Sequence, residues 1–192
     1  MPIDIAGFIT YLKDHAIEHG FHVHDERHFL ETYSLRQSWE IDLHPESACS
    51  GPLDLNVALD IEPRGLLQFE DTLNDNDVDV LEAERNYFVP LLFNWALPPL
   101  GNPPDLVILA AELAGIAGPD LPIEVSGVDS FGALSEKPDR RLSLVGKAEV
   151  AMVAVMTGEA TMCDLLDRCF DSSEFIVKEA DTWDVLDLPS PE

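Results

Sequence analysis

Basic residues are scarce in this 192-residue sequence: Lys and Arg together number 11, against 37 Asp and Glu, which gives a formal net charge of −26. Nucleic acids are bound largely through cationic side chains that replace their counterions, and anionic lipid surfaces attract the same side chains. The composition therefore predicts that the protein binds neither a nucleic acid nor a membrane. A basic protein or a cation is the kind of partner that such a charge attracts.

Cysteine is also rare, and no uninterrupted apolar run approaches the roughly 18 residues of a membrane-spanning helix. The three cysteines are Cys49, Cys163 and Cys169. Their odd number, without a basic stretch of the kind that opens a secretion signal, predicts free thiols in a reducing cytoplasm. Apolar residues make up 46 % of the chain, which suffices for a core without disulfides or structural metal.

Helical spacing of apolar residues occurs near both ends of the chain. Asp4 is suited to cap a helix over residues 4–19, and a second helix is predicted after Thr157 and as far as Trp183. Residues 21–36 follow neither a helical nor a strand period, so their structure stays open.

Two segments alternate between apolar and polar residues, as half-buried strands do. Residues 38–44 and 53–62 are predicted to pair antiparallel, with 45–52 as the hairpin loop between them. One face of this pair would be apolar. The other would carry five acids: Glu40, Asp42, Asp54, Asp60 and Glu62.

Further strands are predicted over 86–96, 121–125 and 141–156, with a helix from Asp105 to about residue 115. Pro90 indicates a bulge or an edge position for the first of these strands, because proline cannot donate to a ladder. The fold class predicted from this order is α+β. We expect one domain over residues 1–183, a mostly antiparallel sheet with helices packed on one face and N-terminal and C-terminal helices. A mobile, acidic and proline-containing tail would follow over 184–192.

Histidine is the residue type that most suggests a metal. Five of the six histidines lie between His15 and His28. His15 and His19 are four residues apart and so share a helix face, and with Glu18 they match the order H-x-x-E-H of one zinc hydrolase class. This alternative makes His15 and His19 zinc ligands and Glu18 the general base. The other interpretation is a solvated histidine cluster at a helix end.

Two weaker patterns bear on the same question. Cys49 lies in a loop close to His44, so that a cysteine–histidine pair is conceivable. Asp75, Asp77 and Asp79 alternate like the first ligands of an EF-hand. Val80 stands where that loop needs glycine, which favours a solvated acidic turn.

The sequence contains no complete catalytic or phosphate-binding motif, such as GxSxG, GxGxxG or GxxxxGK[ST]. The leading hypothesis is therefore a non-enzymatic binding or interaction protein without a cofactor. It would act through the acidic strand face on a basic protein, or through an apolar edge in a homo-oligomer. The alternatives are the zinc hydrolase described above and a mimic of nucleic acid that inhibits a basic protein.

Overall fold

The computed structural model of the protein describes residues 3–49, 51–74, 80–132 and 139–183. Its strands are β1 (Phe21–Leu30), β2 (Gln37–Pro45), β3 (Asp54–Ile61), β4 (Phe88–Ala96), β5 (Ile123–Ser130) and β6 (Asp139–Ala151). Its helices are α1 (Ile5–Glu18), α2 (Pro63–Asn74), α3 (Val80–Asn86), α4 (Leu106–Ala117), α5 (Met152–Thr157) and α6 (Cys163–Ala180), with a short 3-10 helix at Glu46–Ala48. Within these residues, no helix combines the length and the apolar character needed to cross a bilayer.

The six strands form one antiparallel sheet in the order β1-β2-β3-β4-β6-β5. The predicted α+β class, with an antiparallel sheet and helices at both ends of the chain, is confirmed. The tail predicted over 184–192 lies outside the described residues.

The alternation in β2 and β3 has the predicted consequence. Ile41 pairs with Val57 in the antiparallel register, and both side chains are buried. The five apolar residues that alternate through β3 and the residue before it are also buried: Leu53, Leu55, Val57, Leu59 and Ile61. Asp54 and Glu62 are exposed, whereas Asp60 is half-buried.

Helices cover the apolar face of this sheet. Helix α1 begins where the Asp4 carboxylate accepts a hydrogen bond from the Gly7 amide at 2.8 Å, and it contacts β1 and α6. Helix α6 packs against β2 and α4, and α4 packs against β5. Among the described residues, these contacts assign no helix to the opposite face of the sheet, which is called here the open face.

Three expectations from the sequence need correction. Residues 21–30 form an edge strand. Only Phe21 of its ten residues is buried, so the sequence shows no alternation of apolar and polar residues there. Strand β6 ends at Ala151 rather than 156, because the apolar residues that follow bury their side chains as helix α5. Strand β4 is internal: Pro90 is paired with Glu149 of β6, and on the other side it lies just beyond the β3–β4 ladder, which ends at Leu91.

Candidate metal centre

Histidines from β1 and β2 meet at one corner of the sheet. Gly20, at φ +89°, forms the turn from α1 into β1, and His22 then pairs with His44 across the strands. The register shifts between Val23 and Asp25, so that His24 is the extra residue of a bulge. The His24 ring thereby lies 4.2 Å from the His44 ring, centroid to centroid.

A cysteine reaches the same corner from the turn after β2. The short 3-10 helix there is held by buried Ala48, and by the Ser47 hydroxyl, which donates to Glu174 of α6. The Cys49 amide donates to the Glu46 carbonyl at 3.2 Å. This turn fixes the position of the Cys49 thiol against the histidines.

The distances define a compact group of nitrogen and sulfur ligands. His22 Nδ1 lies 3.1 Å from Cys49 Sγ, and His44 Nδ1 lies 3.9 Å from the same sulfur. Among the described residues, His22, His24 and Cys49 each offer a ligand atom within 4.8 Å of the others. We call His22, His24, His44 and Cys49 the histidine–cysteine cluster.

The members of the cluster differ in solvent exposure. His22, His24 and Cys49 are exposed, whereas His44 is half-buried. Burial of the His44 ring lowers its pKa, and His24 and, to a lesser extent, His22 act in the same direction, whereas Asp54 acts in the opposite direction. These effects favour the neutral form of the His44 imidazole.

These ligand types suit an ion of the zinc class. Zinc binds thiolate sulfur at about 2.3 Å and imidazole nitrogen at about 2.0–2.1 Å, usually in tetrahedral geometry. A tetrahedron with these bonds holds sulfur and nitrogen about 3.6 Å apart and two nitrogens about 3.4 Å apart. The two sulfur–nitrogen distances in the cluster, 3.1 and 3.9 Å, lie on either side of that value, whereas the rings of His22 and His24 are 6.4 Å apart, centroid to centroid.

The residues predicted as zinc ligands from the H-x-x-E-H order lie elsewhere, on α1. The rings of His15 and His19 are stacked 6.5 Å apart, centroid to centroid. His19 Nδ1 lies 2.6 Å from Asp167 Oδ1, and His15 Nδ1 lies 3.9 Å from Glu18 Oε2. In the described part of the chain, no third ligand joins the pair within the distances that unite His22, His24 and Cys49. The α1 zinc site stays a prediction.

The remaining cysteines and the EF-hand-like acids do not add to this cluster. All three cysteines are free thiols. Cys169 is buried in α6, where burial strongly raises its pKa, and Cys163 is exposed at the start of that helix. Asp75, Asp77 and Asp79 lie outside the described residues.

The acids predicted as an interaction face lie on or beside the open face, and Arg27 of β1 and Arg36, which directly precedes β2, bind three of them. Arg27 donates to Asp42 at 2.7 and 2.8 Å and to Glu40 at 3.1 Å. Arg36 donates from Nε to Asp60 at 2.6 Å. Within the described ranges, Asp54 and Glu62 make no ion pair. A basic partner would have to compete with these arginines, and the interaction face stays a prediction.

Arg27→Gln should lower the free energy of unfolding at neutral pH. On acidification, the stability of the variant should fall less than that of the native protein. Burial of the Asp42 carboxyl raises its pKa, but hydrogen bonds from Arg27 and Asn56 outweigh this effect and hold the pKa below its usual range. A depressed carboxyl pKa stabilises the fold above the ordinary value, and this contribution is lost as the pH falls through the folded-state pKa. The difference between native protein and variant should therefore be largest near pH 7 and shrink below about pH 4.

Urea unfolding between pH 7 and pH 3 measures this difference, with Arg64→Gln as the control. Arg64 makes no ion pair with any described residue. A constant difference between native protein and Arg27→Gln at all pH values would show that the arginine acts by packing rather than by charge.

Comparison with known proteins identifies no relative of this chain: no family model, no curated protein and no solved structure matches it. The candidate site is therefore interpreted from its own side chains.

The four residues of the histidine–cysteine cluster are distributed over three segments of the sequence, and no single motif contains them all. His22 and His24 were grouped with the α1 histidines, and Cys49 was paired with His44 alone. The partial signal is the closeness of His22 and His24 in the chain, but the bulge at His24 interrupts the strand period, so that spacing alone does not bring them together. Recognising this signal required residues 21–30 to be assigned as a strand.

Proposed function

We propose that this protein is a non-enzymatic binding protein whose ligand is a divalent transition metal ion of the zinc class. The ion would be held by His22, His24 and Cys49 at the corner of the sheet. The observation that supports this proposal is the convergence of two imidazoles and one thiol within 4.8 Å of one another. Such a set combines the ligand types that zinc prefers in proteins.

The position of the ligands on the fold also supports the proposal. They come from β1 and from the turn after β2, so that one ion would tie the edge of the sheet to the segment that contacts α6. Neutral imidazole and thiolate are the ligand forms, and binding to Cys49 releases its proton. A reducing cytoplasm, as predicted from the sequence, would keep the Cys49 thiol available for the metal.

The proposal is tested by measuring bound zinc after equilibrium dialysis of the full chain, purified without a polyhistidine tag. Native protein should bind one zinc per chain, and His22→Ala and Cys49→Ser should each reduce this to well below one at the same free zinc concentration. Cys163→Ser is the matched control, because it removes another exposed thiol and should bind like the native protein.

His15→Ala and His19→Ala distinguish this proposal from the zinc site predicted on α1. Both variants should retain one zinc per chain. Loss of zinc in these two variants, with retention in His22→Ala and Cys49→Ser, would contradict the proposed site and favour the hydrolase alternative with Glu18 as base.

A further inference from the structure

His44 lies beside the three proposed ligands and offers an imidazole like those of His22 and His24, but it is not one of the three residues whose ligand atoms all lie within 4.8 Å of one another. It stands near the end of β2, directly opposite His22 in the β1–β2 ladder. Its ring lies 4.2 Å from that of His24, centroid to centroid. His44 is thus in contact with ligands from both strand β1 and the turn that carries Cys49.

The distance from His44 to the sulfur fits a shared ion as well as that of His22 does. His44 Nδ1 lies 3.9 Å from Cys49 Sγ, and His22 Nδ1 lies 3.1 Å from it. A tetrahedral zinc ion sets this separation at about 3.6 Å, so each nitrogen deviates from it by a few tenths of an ångström.

The distance to the Cys49 sulfur points to His44 as the fourth ligand of the metal ion, once its ring turns toward the ligand atoms of His22 and His24, and this gives a closed shell of three imidazoles and one thiolate. This inference depends on the proposed function, because it adds a residue to the same site. A shell of four protein ligands is typical of ions that are held, whereas catalytic zinc keeps one position for water or substrate. The closed shell therefore assigns the site to sequestration or structural use of the ion rather than to hydrolysis.

One existing contact of His44 changes when it binds metal. Its Nδ1 lies 3.3 Å from the Pro45 carbonyl oxygen, a long hydrogen-bond distance. Binding through Nδ1 requires the tautomer that carries its proton on Nε2, so the weak contact with Pro45 is exchanged for a bond to the ion.

The experiment is a titration of the full chain with Co²⁺, under reducing conditions, followed by absorption spectroscopy and by competition with Zn²⁺. Tetrahedral Co²⁺ shows intense d–d bands, and a thiolate ligand adds a charge-transfer band in the near ultraviolet. His44→Ala should weaken Co²⁺ binding by at least about tenfold, because even outer-shell partners of a metal ligand contribute that much to affinity. It should keep the thiolate band.

A second variant protects the test against a simple folding defect. His44→Cys replaces one ligand by another and should bind Co²⁺ with a thiolate band of about twice the native intensity. His28→Ala is the matched control, because His28 belongs to β1 but stacks on Trp39 outside the cluster, at 4.1 Å between ring centroids. It should leave the affinity and the spectrum unchanged.

The outcomes separate the two claims. Native-like affinity in His44→Ala, together with a single-thiolate spectrum in His44→Cys, would overturn the assignment of His44 while the three-ligand site stands. Absence of Co²⁺ binding by the native protein would overturn the proposed function and this inference with it. A weakened His44→Ala and a doubled thiolate band in His44→Cys would support both.

Discussion

Zinc at a thousand times its dissociation constant should raise the free energy of unfolding of the native protein by about 4 kcal/mol. The gain follows from binding to the folded state alone, because the ligands come from strand β1 and the turn after β2 and meet only when the two strands are paired. Cys49→Ser should lose most of this gain, since a serine hydroxyl is a poor zinc ligand at neutral pH.

Urea unfolding with zinc and with a chelator measures this effect for the native protein, Cys49→Ser and Cys163→Ser. The control variant should gain as much stability from zinc as the native protein does. An equal zinc effect in Cys49→Ser would show that zinc stabilises the fold through other groups.

Trp95→Ala should lower the free energy of unfolding by about 3–5 kcal/mol, which is a large part of the 5–15 kcal/mol typical of a domain. Trp95 is only 2 % exposed, and its indole N–H donates to the Ser173 hydroxyl at 2.8 Å. It joins the internal strand β4 to helix α6. A Cβ at Gly146 would lie 3.0 Å from the Trp95 ring, so the site is tightly packed and closes poorly after truncation.

Chemical unfolding of Trp95→Ala and of Val107→Ala tests this assignment. Val107 is 79 % exposed on α4, and its truncation should change stability by no more than about 0.5 kcal/mol. A loss below about 1 kcal/mol in Trp95→Ala would contradict the packing of α6 on the sheet, because a fully buried tryptophan cannot be removed at so small a cost.

The elements that can be predicted from the sequence are those that bury one face in the core and expose the other to solvent. Strand β3 buries every second residue, and α1 buries Phe8, Ile9, Leu12 and Ala16 on one stripe, so the period of each element is visible in its residue order. Strand β1 lacks such a period because it is an edge strand whose side chains are mostly exposed. Helix α2 has a helical period but buries only Phe69 among its twelve residues.

The candidate site is formed largely by segments whose residue order shows no periodic burial: strand β1 and the turn that carries Cys49. The bulge that brings His24 to His44 is a property of strand pairing, and residue spacing does not reveal it. The turn that presents Cys49 is held by Glu174, 127 residues away from Ser47 in the chain. The acids of β2 were predicted as an unopposed face because Arg27, which binds two of them, lies in the unassigned segment.

X-ray absorption spectroscopy of the zinc-loaded native protein tests the central claim most directly, because it reports the atoms bonded to the metal. The proposed site predicts one sulfur at about 2.3 Å and imidazole nitrogens at about 2.0–2.1 Å, with the sulfur contribution absent in Cys49→Ser. A first shell of nitrogen and oxygen only in the native protein would place the zinc elsewhere and contradict binding by the histidine–cysteine cluster.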